Sequence, residues 1–212
     1  MISSMQDPLA PPPAIVVQLL QPFAQRYGLL TLPFHAHEII GSFILYSSIF
    51  LLISPGLSGR LVHDRYNYLS KRSQIAWHVR VVSTIQSTFI CTIALYVLLV
   101  DNERQKLGSG GRLWAYSGAS GMVQAFAAGY FLWDVSVSVR YFGILGGSSL
   151  AHAVSALFIT CIGFVSHADG YCSYFLPLTG LIWSIATFRE LLWSKLHSLL
   201  ALHALSKYSL VP

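Results

Sequence analysis

The sequence predicts an all-α, polytopic transmembrane bundle of about five spanning helices followed by an amphipathic C-terminal helix. Only 10% of its 212 residues are charged and 54% are hydrophobic, whereas a soluble domain carries about 25% charged residues. The apolar residues form runs long enough to cross a bilayer core of about 30 Å. Most Lys and Arg residues lie between these runs, which is the arrangement found in membrane proteins.

Composition and motifs exclude several other classes of function. The net charge of +5 does not indicate a nucleic-acid partner, because the basic residues are not clustered on a binding module. No motif predicts a cofactor. His35, His37 and Glu38 superficially resemble metal ligands, but a metal site needs three or four convergent groups. We therefore interpret them as polar residues at the membrane boundary and predict no metal site.

The chain divides into three predicted segments. Residues 1–37 form a leader and an interfacial segment, in which an amphipathic stretch interrupted by Pro22 is too short to cross the membrane. Residues 38–188 form the transmembrane bundle, and residues 189–212 form an amphipathic C-terminal segment. The predicted spans within the bundle are residues 38–54, 81–100, 113–133, 148–165 and 172–188.

The placement of basic residues predicts the orientation of the bundle. Most of the 13 Lys and Arg residues fall in alternate connecting segments, beginning with the loop that follows the first span at Pro55. The positive-inside rule places these segments in the cytoplasm. The N-terminus is then expected to be lumenal and the C-terminus cytoplasmic.

The second predicted span has an unusually polar face. Arg80, Ser83, Thr84 and Ser87 recur at helical spacing, whereas Gln86 points elsewhere. These groups either bridge neighbouring helices, as hydroxyls commonly do in membrane bundles, or line a cavity. In the third span, Ala125 and Gly129 are small residues separated by one helical turn, so we expect a close helix approach.

Two ionisable residues mark the third and fourth predicted spans. Asp134 is expected to cap the third helix at its end. In the fourth helix Ser148, His152 and Ser155 form a polar stripe. Because ionisable groups at membrane depth are expensive and usually functional, His152 is a candidate base or nucleophile with Asp134 as its orienting partner. The alternative is a neutral imidazole that is hydrogen-bonded within the bundle.

Three blocks of sequence suggest a family. Residues 77–84 read WHVRVVST, residues 129–134 read GYFLWD, and residues 149–157 read SLAHAVSAL. Together they resemble the TLC domain, the membrane module shared by TRAM, Lag and CLN-type proteins. The second block looks like its G-Y-x-x-x-D signature, and the third is similar to its histidine-containing fourth helix. Gln86 and Trp133 are most similar to the fungal branch of the family.

The resemblance implies a helical bundle in the endoplasmic reticulum or a related membrane. The best-characterised members are ceramide synthases, which join an acyl-CoA to a sphingoid base and need a His-His pair where this chain has Ala151-His152. We therefore expect a protein that binds or organises membrane lipids and contributes to lipid homeostasis without catalysis. The alternative is an acyl-CoA-dependent N-acyltransferase that uses His152 and Asp134 as its catalytic residues.

The resemblance also defines the candidate site and its extent. It covers residues from about Tyr66 to Pro177 and is lost beyond, so we expect a chain that is truncated relative to the family at its C-terminus. Membrane lipids are the expected partners, with acyl-CoA as a further partner if the chain is a synthase. The candidate lipid-contacting or cavity-lining residues are Arg80, Ser83, Thr84, Ser87, Tyr130, Ser148 and Ser155.

Overall fold

The computed structural model describes residues 9, 11–61, 66–100 and 118–164, which form helices and connecting turns without a strand. The predicted all-α class is therefore confirmed. The helices are α1 (Ala14–Tyr27), α2 (Leu32–Ser48), α3 (Ser54–Leu61), α4 (Lys71–Val100), α5 (Gly118–Arg140) and α6 (Phe142–Ile162), and a π-helix (Ile49–Ile53) joins α2 to α3.

Four stretches of the described residues are long and apolar enough to cross a membrane. They are Leu32–Arg60, Lys71–Val97, Gly118–Arg140 and Phe142–Ile162. The predicted fifth span (172–188) and the C-terminal segment (189–212) lie outside the described residues. Helix α1 precedes the first span and runs through Pro22 without interruption, contrary to the prediction.

The first span is longer than predicted, because the helix begins at Leu32 and does not end at Pro55. The π-helix explains how the proline is accommodated. The backbone N–H of Ser54 bonds to the carbonyl of Ile49, so the chain enters α3 with Pro55 in its first turn. Proline is tolerated there, since the first N–H groups of a helical segment need no partner within it.

The other boundaries were also misplaced by the sequence prediction. Helix α4 begins at Lys71, so part of the predicted loop before residue 81 is helical. Helix α5 continues to Arg140, and Asp134 therefore lies inside the helix and does not cap it. Hydropathy marks the part of a helix within the bilayer core, whereas backbone hydrogen bonding continues through polar residues until a turn ends it. The turn that ends α5 consists of Tyr141 alone.

The core of the bundle lies between the first span, α4 and α5. The rings of Tyr46 and Tyr130 meet edge to face with centroids 5.3 Å apart, and Phe50 meets Trp133 at 5.7 Å. Aromatic pairs in this geometry contribute beyond their buried area. The residues of this core cluster are Tyr46, Ile49, Phe50, Val82, Tyr130, Trp133 and Val137.

Gly129 determines how closely α5 approaches α2. A Cβ atom at this position would lie 2.5 Å from the carbonyl oxygen of Ile39 and 2.6 Å from Cβ of Ser42. Ala125, one turn earlier, is fully buried. The hydroxyl of Ser42 donates a hydrogen bond to the carbonyl of Phe126 at 2.9 Å, which closes the contact. The close approach predicted from the small residues is confirmed.

Gly129→Ala is expected to lower the free energy of unfolding by about 1–3 kcal/mol, because the backbones of two helices must separate to admit the methyl group. The matched control is Gly41→Ala, where an added Cβ meets no atom within 4 Å. Thermal unfolding of detergent-purified protein, followed by tryptophan fluorescence, compares the variants. Equal midpoints for both would show that this contact does not set the helix spacing.

Candidate functional site

A hydrogen-bonded group of polar side chains occupies the centre of the bundle. The hydroxyl of Tyr46 on α2 donates to Oε1 of Gln86 on α4. The hydroxyl of Tyr130 on α5 donates to Oγ of Ser83 at 2.9 Å, and Ser83 in turn donates to the carbonyl of Val79. These bonds tie three helices together through side chains that are all buried. We call Tyr46, Ser83, Gln86 and Tyr130 the central polar group.

Gln86 is one of the residues whose position the sequence did not predict. It was predicted to point away from the polar face of the second span, yet it is only 4% exposed and lies in the core. A usable signal was present in the sequence. His78, Val82, Gln86 and Ile90 recur every four residues, and all of them are buried. This spacing defines the packed face of α4, with Gln86 in its middle.

Only Ser83 of the predicted polar face of α4 joins the central polar group. Arg80 is exposed, and the hydroxyl of Thr84 donates to the carbonyl of Arg80 at 2.8 Å within the same helix. Ser87 is partly exposed. The predicted face therefore lies beside the packed face of α4. Its residue Ser83 bridges two helices through the hydrogen bond from Tyr130.

Asp134 lies inside the bundle, one turn after Tyr130 on α5. Its side chain is enclosed, with the residue only 6% exposed, and its carboxyl is within electrostatic reach of the Tyr130 phenol. Trp133 and Val137, its neighbours on the same helix, are also buried. A carboxyl group at this depth is costly, so its burial points to a functional role.

His152 lies at the same depth as Asp134 along the α5–α6 hairpin. Oγ of Ser138 and Oγ of Ser149 are 3.3 Å apart, which sets the register of the two antiparallel helices. Because both helices rise about 1.5 Å per residue, Ala153 lies opposite Asp134. Ala153 is fully buried, whereas His152 beside it is partly exposed. The structure thus brings the two candidate catalytic residues to one level of the bundle.

The remaining candidate residues of α6 lie on its outer side. Ser148 and Ser155 are exposed, and the hydroxyl of Ser155 donates to the carbonyl of Ala151 at 2.8 Å. They do not join the central polar group. Helix α6 is broken near its start, since Gly146 has φ 82°, a conformation that side-chain-bearing residues rarely adopt.

A second polar group lies near the far end of the first span and was also missed. Nδ1 of His78 is 2.7 Å from Oγ of Ser54, and Nε2 is 2.9 Å from the hydroxyl oxygen of Tyr66. Indole Nε1 of Trp77 donates to Oγ of Ser58 at 2.9 Å. His78 is buried, so both nitrogens of an intramembrane imidazole are held in place. His78 belongs to the WHVRVVST block, but the sequence pattern did not predict which residues it contacts.

His35 and Glu38 form a third polar group at the opposite end. Nδ1 of His35 and Oε2 of Glu38 are 2.7 Å apart, and both residues are buried. They lie near the start of the first span, which begins at Leu32, and face the interior of the bundle. Within the described part of the chain, no three His, Cys, Asp or Glu side chains converge as a metal site.

Comparison with known proteins decides the family. The TLC domain family matches residues 76–199 of this chain. This chain belongs to the TLC-domain family. The match continues beyond Pro177, so the predicted loss of resemblance at that point is wrong. No solved structure matches the TLC-domain chain.

Three curated proteins are similar to this TLC-domain chain. An uncharacterized TLC domain-containing protein of Schizosaccharomyces pombe is 34% identical over 82% of this chain and 56% of its own length. Topoisomerase I damage affected protein 4 of Saccharomyces cerevisiae is 27% identical over 71% of this chain and 54% of its own length. TLC domain-containing protein 4 of Homo sapiens is 30% identical over 50% of this chain and 38% of its own length. The chain spans about half the length of the first two, and both agree with the predicted fungal-like branch.

Tyr46→Phe is expected to lower the free energy of unfolding by about 1–3 kcal/mol, because the buried Gln86 carbonyl loses the Tyr46 donor. Tyr96→Phe is the matched control, since Tyr96 is exposed on the outer side of α4. Thermal unfolding in detergent measures both. A Tyr46→Phe midpoint equal to that of Tyr96→Phe would mean that the central polar group does not stabilise the bundle.

Proposed function

We propose that this integral membrane protein binds or organises membrane lipids and contributes to membrane lipid homeostasis without catalysis. The observation that carries the proposal is the outer face of α6. From Ser148 to Ser155 this face presents Ser148, His152 and Ser155, and beyond them it presents Phe158 and Ile162. The face therefore changes from polar to apolar with distance from the α5–α6 turn.

This order of polarity matches that of an amphiphilic lipid. With the turn at the membrane surface, a headgroup would meet the hydroxyls and the imidazole, and an acyl chain would lie along Phe158 and Ile162. His152 can donate or accept a hydrogen bond to a lipid amide, hydroxyl or phosphate.

The residue before His152 supports binding over catalysis. The resemblance described above includes the ceramide synthases, and these enzymes use a consecutive His-His pair. This chain has Ala151 at the first position of that pair.

One observation favours the second candidate, an acyl-CoA-dependent N-acyltransferase. His152 and Asp134 share one depth, so His152 could accept the amine proton of a sphingoid base while Asp134 stabilises the imidazolium.

Location follows from charge placement and resemblance. We propose an endoplasmic reticulum membrane, with the N-terminus lumenal and the C-terminus cytoplasmic. The excess of Lys and Arg in alternate connecting segments supports this orientation. Membrane lipids are the proposed partners, and acyl-CoA joins them only under the second candidate.

His152→Ala is expected to weaken labelling by a photoactivatable sphingoid lipid about threefold to tenfold, because one hydrogen bond to the headgroup is lost. The full chain is reconstituted in phosphatidylcholine nanodiscs, and labelling is measured at several lipid concentrations. Ser136→Ala is the control, since Ser136 is exposed on α5 and its hydroxyl bonds to its own helix. Labelling unchanged by His152→Ala would contradict a lipid site on this face.

Amide formation separates the two candidate functions. The same nanodiscs receive an acyl-CoA and a sphingoid base, and ceramide is measured by mass spectrometry. We expect lipid labelling without ceramide. Ceramide made by the wild-type chain and abolished by His152→Ala would overturn the non-catalytic proposal in favour of the acyltransferase.

A further inference from the structure

The inner face of the first span is polar along almost its whole length, which is unusual for a membrane helix. Its buried side chains include His35, Glu38, Ser42, Tyr46, Ser54 and Ser58. The opposite face is apolar and exposed, with Ile40, Ile44, Leu51 and Leu52. From His35 to Ser58 the helix rises about 35 Å at 1.5 Å per residue, which is comparable with the thickness of the hydrocarbon core.

The π-helix keeps this polar face in phase. In an uninterrupted α-helix, Ser54 would be rotated by about 80° from Tyr46, since each residue adds about 100°. The wider turn, in which the N–H of Ser54 bonds to the carbonyl of Ile49, takes up one extra residue. Tyr46 and Ser54 are consequently both 1% exposed. Single π-turns inside helices occur frequently at functional sites.

At the depth of Ile49 and Phe50, where the inner face of the first span is apolar, α5 contributes the buried carboxyl of Asp134. The Trp133 ring packs on Tyr46 (6.4 Å between centroids) and on Phe50 (5.7 Å). Asp134, the next residue, therefore lies at a depth between Tyr46 and Ser54. Titratable or hydroxyl groups thus occur at successive depths from His35 and Glu38 at one end to Ser54, His78 and Tyr66 at the other.

We propose that these groups form a proton relay across the membrane. Each imidazole, carboxyl or hydroxyl accepts a proton at one atom or lone pair and releases another, so a proton enters at one end, one leaves at the other, and every group returns to its starting state. Chains of such intramembrane residues mark proton relays. From Glu38 to Ser42 to Tyr46 the groups lie about 6 Å apart along the helix axis.

Phe50 marks the longest step of this relay. Its ring lies edge-on to His78 at 6.2 Å between centroids and also packs on Trp133. An apolar ring thus stands between the depth of Asp134 and the group of His78, Ser54 and Tyr66. Proton transfer past this ring limits the rate, so the relay conducts slowly. The relay does not use Ser148, His152 or Ser155 of the lipid face on α6.

Proton flux into liposomes tests the proposal. The full chain is reconstituted with an internal pH-sensitive dye, and valinomycin with K⁺ removes the charge imbalance after a pH jump. Glu38→Gln and His78→Gln should each lower the protein-dependent flux about tenfold or more, because an amide keeps the hydrogen-bonding shape but does not exchange a proton in the relay. Ser48→Ala should leave the flux unchanged, because the Ser48 hydroxyl bonds to the carbonyl of Ile44 in its own helix.

The proposal would be overturned if liposomes with the wild-type protein showed the same proton flux as protein-free liposomes. It would also be overturned if both amide variants folded and still conducted protons as fast as the wild-type protein. If one variant does not give a monodisperse protein, Asp134→Asn replaces it under the same criterion. Lipid labelling at α6 is measured on Glu38→Gln in parallel. Normal labelling with reduced flux supports the relay alone, and normal labelling with unchanged flux overturns the relay while leaving the lipid proposal standing.

Discussion

The contact between Gly129 and the α2 backbone is the constraint on which the rest of the bundle depends. Because Gly129 has no side chain, α5 lies directly against Ile39 and Ser42. This distance allows Tyr130 and Trp133, which follow Gly129 within about one turn of α5, to pack on Tyr46 and Phe50. The close approach also places Asp134 in the interior. At an ordinary helix spacing, other side chains or lipid would fit between the two helices at this depth.

Hydrogen bonding explains why so many polar side chains are tolerated at membrane depth. Hydroxyls of this bundle commonly bond to a carbonyl one turn back in their own helix, as Ser83, Thr84 and Ser155 do. Others bond across helices, as between Tyr130 and Ser83. A membrane helix gains little from hydrophobic association with another helix, so such bonds and close packing supply the specificity. The buried carboxyl of Asp134 goes beyond what packing alone requires.

The sequence predicted the class of fold well and the helix limits poorly. Hydropathy located the four described spans because each is a long apolar run, but it placed their ends where the polar residues begin. Helix α5 shows the cause. The residues from Val135 to Arg140 are less apolar than the core, yet their backbone stays helical, so Asp134 lies well inside the helix. A residue predicted to cap the helix was thereby found within it.

By itself, the sequence determined that this is a helical membrane protein of the TLC-domain family, since hydropathy and short signature blocks are properties of the chain alone. It also determined the close approach at Gly129. Only the tertiary structure decided which polar residues face one another. Gln86 bonds to Tyr46, and His78 to Ser54, because the π-turn before Ser54 and the packing of the helices set their relative rotation. The spacing along α4 marks its packed face, but it does not name these partners on the first span.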